Sequence, residues 1–203
     1  LMSNDKDENK PINKKVIKEK NLYDSAFELF SNKGINGTSI DDIVKKAGVA
    51  KGTFYLYFKN KYDIIDKIIL KKSASVLKEA VEVTLSKNLQ DFSQSIIFFI
   101  DYIIEYLRGN TKLLKIIHKN LSWGLYRKAI ASANQYEDMR IINELLEEIR
   151  QKENIDEEEF EINLFMVIEL TSSICYSSII LQEPYDIDTM KPYLFNMIKK
   201  ITG

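Results

Sequence analysis

Residues 38–61 read Thr38-Ser39-Ile40-Asp41-Asp42-Ile43-Val44-Lys45-Lys46-Ala47-Gly48-Val49-Ala50-Lys51-Gly52-Thr53-Phe54-Tyr55-Leu56-Tyr57-Phe58-Lys59-Asn60-Lys61. Two hydroxyl residues stand before the first apolar one, and acids follow three places on, as Thr38-x-x-Asp41 and Ser39-x-x-Asp42. Either hydroxyl can cap the free N–H groups at a helix start, and the acids suit the positive end of the helix dipole. Ile40, Ile43, Val44 and Ala47 recur at helical spacing and mark an inward face. Ala47 is small enough for a second helix to cross closely. Gly48 follows where a helix end favours a residue tolerant of positive φ. Val49, Phe54 and Phe58 resume the inward pattern, which leaves Lys51, Gly52, Thr53, Tyr55, Leu56 and Tyr57 mostly on other faces. The spacing therefore predicts two short helices joined by a glycine turn, a helix-turn-helix that seats its second helix in the major groove of DNA. Lysine and hydroxyl groups are suited to phosphate oxygens and base edges, and Gly52 would let the backbone approach a duplex closely.

This string resembles the N-terminal signature of the TetR (tetracycline-repressor-like) transcriptional regulators. The family pattern runs Thr-Ser/Thr-apolar, then Ala-Gly-Val-Ser/Ala-Lys-Gly-Thr-Phe/Leu-Tyr, then aromatic-Phe and Lys-x-Lys. Ala47 to Tyr55 and Tyr57 to Lys61 follow it almost without interruption. Ala50 stands where serine is frequent, removing one capping hydroxyl, and Tyr57 stands where histidine is frequent. The resemblance implies a role for each matching position. Thr38 or Ser39 would hold a phosphate. Lys51, Gly52 and Thr53 would face base edges or the adjacent backbone. Tyr55 and Tyr57 would reach phosphates, Leu56 would touch a thymine methyl, and Lys61 would grip a further phosphate. Residues 1–72 contain no arginine, so bidentate guanine reading would fall to Lys51 with less geometric selectivity, and an A·T-rich operator is expected.

The resemblance further implies an all-α chain. A polar tail without fixed structure (1–12) would precede a three-helix, helix-turn-helix head (13–60), followed by a helical ligand-binding and dimerisation body (61–203). Its partners would be a double-stranded DNA operator, a second copy of the chain through the last two helices, and a small hydrophobic or amphipathic effector. Such a homodimer would act as a repressor released from its operator by the ligand. A dimer fits adjacent major grooves when its recognition helices sit about 34–36 Å apart. A ligand preferring another spacing lowers operator affinity by its differential affinity for the two states. An effector-independent DNA-binding factor of the same fold, with a division or nucleoid role, is the alternative.

Charge supports the head assignment. The whole chain is nearly neutral, with 29 basic and 30 acidic residues, but residues 1–72 hold 15 lysines against 10 acids. Residues 73–203 carry the remaining 14 basic and 20 acidic groups. Positive charge thus gathers on the part proposed to meet phosphates, as counterion release requires.

Elsewhere the chain reads as helical, with three prolines and seven glycines in 203 residues. A helix over 14–32 would use Val16 or Ile17, Leu22, Ala26, Leu29 and Phe30 as its inner face. Another would start after Asn60 and run towards Leu85. Over 89–108, Gln94, Asp101, Glu105 and Arg108 share one stripe, read as a solvated face and not as acid–base machinery. Helices near 110–121 and 122–152 would precede the last two, 157–181 and 188–201. Leu164 to Leu181 is apolar around much of its circumference and would need partners on two sides, one of them outside its own body. Aromatic residues Phe99, Tyr102, Tyr106, Trp123, Tyr126, Phe165 and Tyr176 are candidates to line a ligand cavity. Glu169, on the face of Phe165, Ser172 and Tyr176 inside an apolar run, would be a buried charge in need of a partner: a lysine, the dimer seam or a cationic ligand.

His118 is the only histidine and is expected to pack partly buried; Cys175, the only cysteine, is expected to be a buried small hydrophobe. No metal-ligand spacing, Gly-rich phosphate loop or G-x-S-x-G occurs, so neither an enzyme nor a metal or cofactor site is expected. Residues 3–20 are polar and lysine-rich without a signal-peptide pattern, and no uninterrupted apolar run is long enough to span a bilayer. A cytoplasmic protein that does not engage a membrane is expected.

Overall fold

The computed structural model describes residues 9–120 and 137–202, with side-chain environments for 14–118 and 140–202. Among them the chain is helical throughout and contains no strand. It divides into two compact units, Leu1–Ile68 and Ile69–Gly203, so the division falls inside a helix and not at residue 60.

The first unit holds α1 (Asn9–Lys33), α2 (Ile40–Ala47), α3 (Lys51–Tyr55) and the start of α4 (Lys61–Ser86). α1 begins earlier than composition suggests and takes in residues 9–12, assigned above to the tail. Leu22, Ala26 and Phe30 of α1 are buried, with Ile43, Val44 and Ala47 of α2, then Phe54, Phe58, Ile64, Ile65 and Ile68. Tyr23 meets Phe58 edge-on at 5.2 Å, and Phe54 and Phe58 lie 5.4 Å apart. Such ring pairs add about 0.5–1.5 kcal/mol to the area they bury. Val16 and Ile17 depart from expectation. They are 58 and 49 % exposed, because the buried face of α1 begins only at Leu22.

Of the two candidate caps on α2, the structure uses Ser39. Its hydroxyl accepts from the Asp42 N–H, and the Asp42 carboxylate accepts from the Ser39 N–H at 3.0 Å, a reciprocal capping box. These hydrogen bonds, from the Ser39 backbone first and its hydroxyl second, hold the Asp42 carboxyl below its ordinary value of 3.8. Gly48 closes α2 at φ +67°, and the next N–H, of Val49, reaches back to the Val44 carbonyl at 3.1 Å. That pattern needs the left-handed backbone that glycine adopts without strain.

The second unit comprises the rest of α4, α5 (Phe92–Gly109), α6 (Thr111–Asn120), α7 (Glu137–Lys152), α8 (Glu157–Cys175, prolonged by a π-helical stretch Tyr176–Leu181) and α9 (Ile187–Thr202). Asp91 caps α5 through the Ser93 N–H, and Asp156 caps α8 through the Glu158 and Glu159 N–H groups. Ile100, Ile104, Leu107, Leu113, Leu114, Ile142, Cys175, Ile187, Leu194 and Ile198 are buried. Burial pushes the Cys175 thiol up to about 12, as expected of an apolar core residue.

Two features of this unit differ from the sequence reading. The polar stripe of α5 is a seam and not simply a solvated face. Lys191 of α9 bonds both Asp101 and Glu105, and Arg108 pairs with Asp188. Burial alone would lower the Lys191 pKa, but its hydrogen bonds to the two carboxylates more than offset this, so the net direction is up. The second difference is α8. Its apolar residues, with interspersed Ser and Thr, make one continuous 25-residue helix whose most apolar 18-residue window has mean hydropathy 1.8. By length and composition it is long and apolar enough to cross a membrane, contrary to expectation, and only 11 % of that window is buried within the chain.

Candidate nucleic-acid interface

Helix α3 is held by its apolar side and offers the other. Phe54 is fully buried, while its neighbours Tyr55 and Leu56 are 54 and 78 % exposed. Lys51 and Gly52 are also exposed, and Thr53 is half-buried. A Cβ built on Gly52 would meet nothing within 4 Å. The head's own packing therefore does not require glycine there. Lys51, Gly52, Thr53, Tyr55 and Leu56 form one short, accessible surface of cation, backbone, hydroxyl, phenol and apolar tip.

Lys51 is not idle in this state. Its ammonium pairs with Asp41 in the first turn of α2, at 2.8 Å, and that hydrogen bond first, the carboxylate charge second, raises its pKa. Both side chains are more than half exposed, so the pair is cheap to exchange for another anion. Lys61, half-buried, donates to the carbonyls of Ile35 at 2.9 Å and Thr38 at 3.2 Å, fastening α4 to the turn between α1 and α2. An ammonium has three donors, so one is left for a phosphate.

Two expected contacts are corrected by geometry. The Thr38 side chain is only 1 % exposed, and its hydroxyl donates to the Gly34 carbonyl at 2.9 Å, so of the two hydroxyls Ser39 is the one at the surface. Tyr57 is half-buried and its hydroxyl donates to the Lys15 carbonyl at 3.0 Å. A phosphate oxygen only accepts, and a phenol has one proton to give, so reaching a phosphate would break the tie to α1. Sequence reasoning missed Asp41 as the partner of Lys51. It also missed Lys67, whose ammonium donates to the Tyr57 carbonyl at 3.2 Å and lies 5.0 Å from the Phe58 ring centre. The spacing of Asp63 and Lys67, an i,i+4 pair at 3.3 Å, was the available signal.

Residues 22–68 match the family profile of bacterial regulatory proteins, tetR family. The N-terminal head belongs to the TetR family. The matched segment takes in α1 from Leu22 on, all of α2 and α3, and the start of α4. Among curated relatives, an uncharacterised HTH-type transcriptional regulator, YvdT, of Bacillus subtilis is 51 % identical over 51 residues, 25 % of this chain and 26 % of that protein. A second from the same organism, YdgC, is 30 % identical over 105 residues, 51 % of this chain and 54 % of that protein. The chain thus spans about half or less of the length of these relatives. For the fold as a whole, the transcriptional regulator FadR from Bacillus subtilis, solved in complex with stearoyl-CoA, superimposes with a TM-score of 0.64 at 22 % identity. That superposition covers 89 % of this chain and 97 % of that one, so the TetR-type head and the helical body are both reproduced.

The ligand-lining candidates are dispersed. Phe99, Tyr102 and Tyr106 of α5 are half-buried. The Tyr102 hydroxyl donates to Glu79 of α4 at 2.6 Å, and this hydrogen bond raises its pKa. Tyr176, also half-buried, stacks on His118 with ring centres 4.0 Å apart and planes 9° from parallel, so His118 packs as expected. Trp123 and Tyr126 lie outside the described residues. Phe165 and Glu169 are corrections. Phe165 is 41 % exposed and Glu169 is exposed too, so the face they share points away from the body's core. An exposed carboxylate is hydrated and needs no counter-charge, which removes the ground for pairing Glu169 with a cationic ligand.

Proposed function

We propose that this chain is a homodimeric transcriptional repressor that binds a DNA operator through α3 and leaves it when a small molecule binds the helical body. The observation that carries the DNA-binding reading is the division of labour within α3. Phe54 and Phe58 anchor it, and Lys51, Gly52, Thr53, Tyr55 and Leu56 face outward without a packing reason for the glycine or for the exposed leucine. Ser39 and Lys61 flank this surface as phosphate contacts, and the absence of arginine up to residue 72 favours an A·T-rich site.

The dimer is supported by what the last two helices leave uncovered. Ile162, Phe165 and Met166 of α8 and Tyr193 and Met197 of α9 are each 39 to 69 % exposed. A second copy seated on this face would cover the apolar window of α8 and match two recognition helices to two half-sites. For the effector, the Bacillus subtilis regulator FadR, which shares this fold, is in complex with stearoyl-CoA. That precedent favours an amphipathic ligand with a long apolar part over a cation.

The test is selection of bound fragments from random duplex DNA by the full chain, followed by a shift assay on the winning sequence. Lys51→Ala with Tyr55→Ala abolishes the specific shift while leaving helicity and dimer mass intact. Unchanged affinity in that variant refutes the assignment of the reading helix.

A further inference from the structure

The stretch of α1 from Lys14 to Lys18 lies ahead of the head core, exposed and rich in lysine. Leu22, Ser25 and Ala26 form the inner stripe of α1. Stepping back by whole turns along that stripe gives Lys18, Lys15 and Lys14, since residues four, seven and eleven apart share a helix face. Those three side chains are exposed. Residues 14–20 hold four lysines against one acid, Glu19. The overhang is not simply a frayed end. The Tyr57 hydroxyl, just past the reading helix, donates to the Lys15 carbonyl at 3.0 Å and ties this part of α1 beside the C-terminal end of α3.

We propose that Lys14, Lys15 and Lys18 form a second phosphate-binding surface, gripping the duplex backbone that flanks the stretch read by α3. The inference rests on the DNA-binding reading above and extends it to residues outside the helix-turn-helix. Three ammonium groups on one exposed helix face suit a row of phosphates, and nothing in their chemistry selects a base. Tyr57 then acts as a strut and not as a DNA contact: it spends its one proton on tying the basic overhang to the end of α3.

The experiment compares the full chain with Lys14→Ala/Lys15→Ala/Lys18→Ala and with the corresponding triple arginine variant. Binding of the selected operator and of a scrambled duplex is measured by fluorescence anisotropy across salt concentrations. Each lost phosphate contact lowers the slope of log affinity against log salt by roughly 0.9. The alanine variant is therefore expected to lose about 2 to 3 from the slope per protomer, or about 5 for the bound dimer, on both duplexes, keep its preference for the operator, and recover the slope with arginine. An unchanged slope overturns this inference alone, as does a variant that keeps the slope but loses the preference. Failure of the unmodified chain to select any duplex overturns the DNA-binding reading together with it.

Discussion

Gly52→Ala should separate the stability of the head from its function. The residue sits inside α3, its φ lies outside the left-handed region, and a Cβ there would meet nothing within 4 Å. Alanine relieves the entropic cost of glycine in a helix, about 0.5–1 kcal/mol. Amide exchange in the head should therefore slow by about two- to fivefold. Operator affinity should move the other way. If the glycine is there so that a duplex can approach the backbone, a methyl group placed in that interface costs about 1–3 kcal/mol, as overpacking does. That is roughly a 5- to 150-fold loss of binding. Gly48→Ala is the companion. Its surroundings are also open, but φ is +67°, so alanine is strained by about 1–2 kcal/mol and the head loses stability. Exchange and anisotropy on the two variants give opposite signs of stability change. A Gly52→Ala head that is more stable and binds as tightly as before would refute the close-approach argument.

Ser39→Ala removes the hydroxyl half of the α2 capping box and should cost about 1 kcal/mol, read as faster amide exchange over α2. The Asp42 carboxyl is held below its ordinary value of 3.8 by the Ser39 hydrogen bonds. Its contribution is thus fully present above that value and is lost as pH falls through the lowered folded one. Asp42→Asn should flatten this acid limb, and an unaltered limb would mean another group carries it. Met166→Glu with Met197→Glu places charge on the exposed face of α8 and α9, and sedimentation should then report the monomer mass; a persistent dimer would place the interface elsewhere. Lys191→Met withdraws the ammonium shared by Asp101 and Glu105, whose side chains are 41 and 45 % exposed. Solvent screening at those carboxylates keeps the expected loss near about 1 kcal/mol in a denaturant titration, and no loss would show the seam between α5 and α9 to be ornamental.

The head was legible in sequence because its decisive signals are local. Ser39 and Asp42 cap within one turn, Gly48 reverses the chain at one residue, and Phe54 and Phe58 repeat one turn apart. Contacts decided by where side chains point after a turn were not legible. Periodicity does not distinguish Thr38, aimed inward at Gly34, from Ser39, aimed outward, and no spacing rule joins Tyr57 to Lys15. The body follows the same logic. Helix limits towards Leu85 and at 157–181 follow from period and composition, and the structure ends these helices at Ser86 and Leu181. Period alone does not tell which apolar side of α8 faces the core, and Phe165 and Glu169, expected inside, are exposed. Lys191 lies some ninety residues from Asp101 in the chain, and no local pattern pairs them.

The head's own contacts also explain why affinity and discrimination would come from different lysines. Lys51 is held by Asp41, and Lys61 spends two donors on Ile35 and Thr38. For these groups, binding a duplex exchanges one acceptor for another, and only a well-placed base edge or phosphate makes the exchange favourable. Lys14, Lys15 and Lys18 are exposed, so their gain would be the release of counterions on any duplex. A head built this way would hold DNA loosely through the overhang of α1 and commit through α3. Asp41→Asn should accordingly tighten binding to scrambled DNA more than to the operator, because it frees the reading lysine from the acceptor that a wrong sequence fails to replace. Equal tightening on both duplexes would show that Asp41 contributes charge alone and has no part in discrimination.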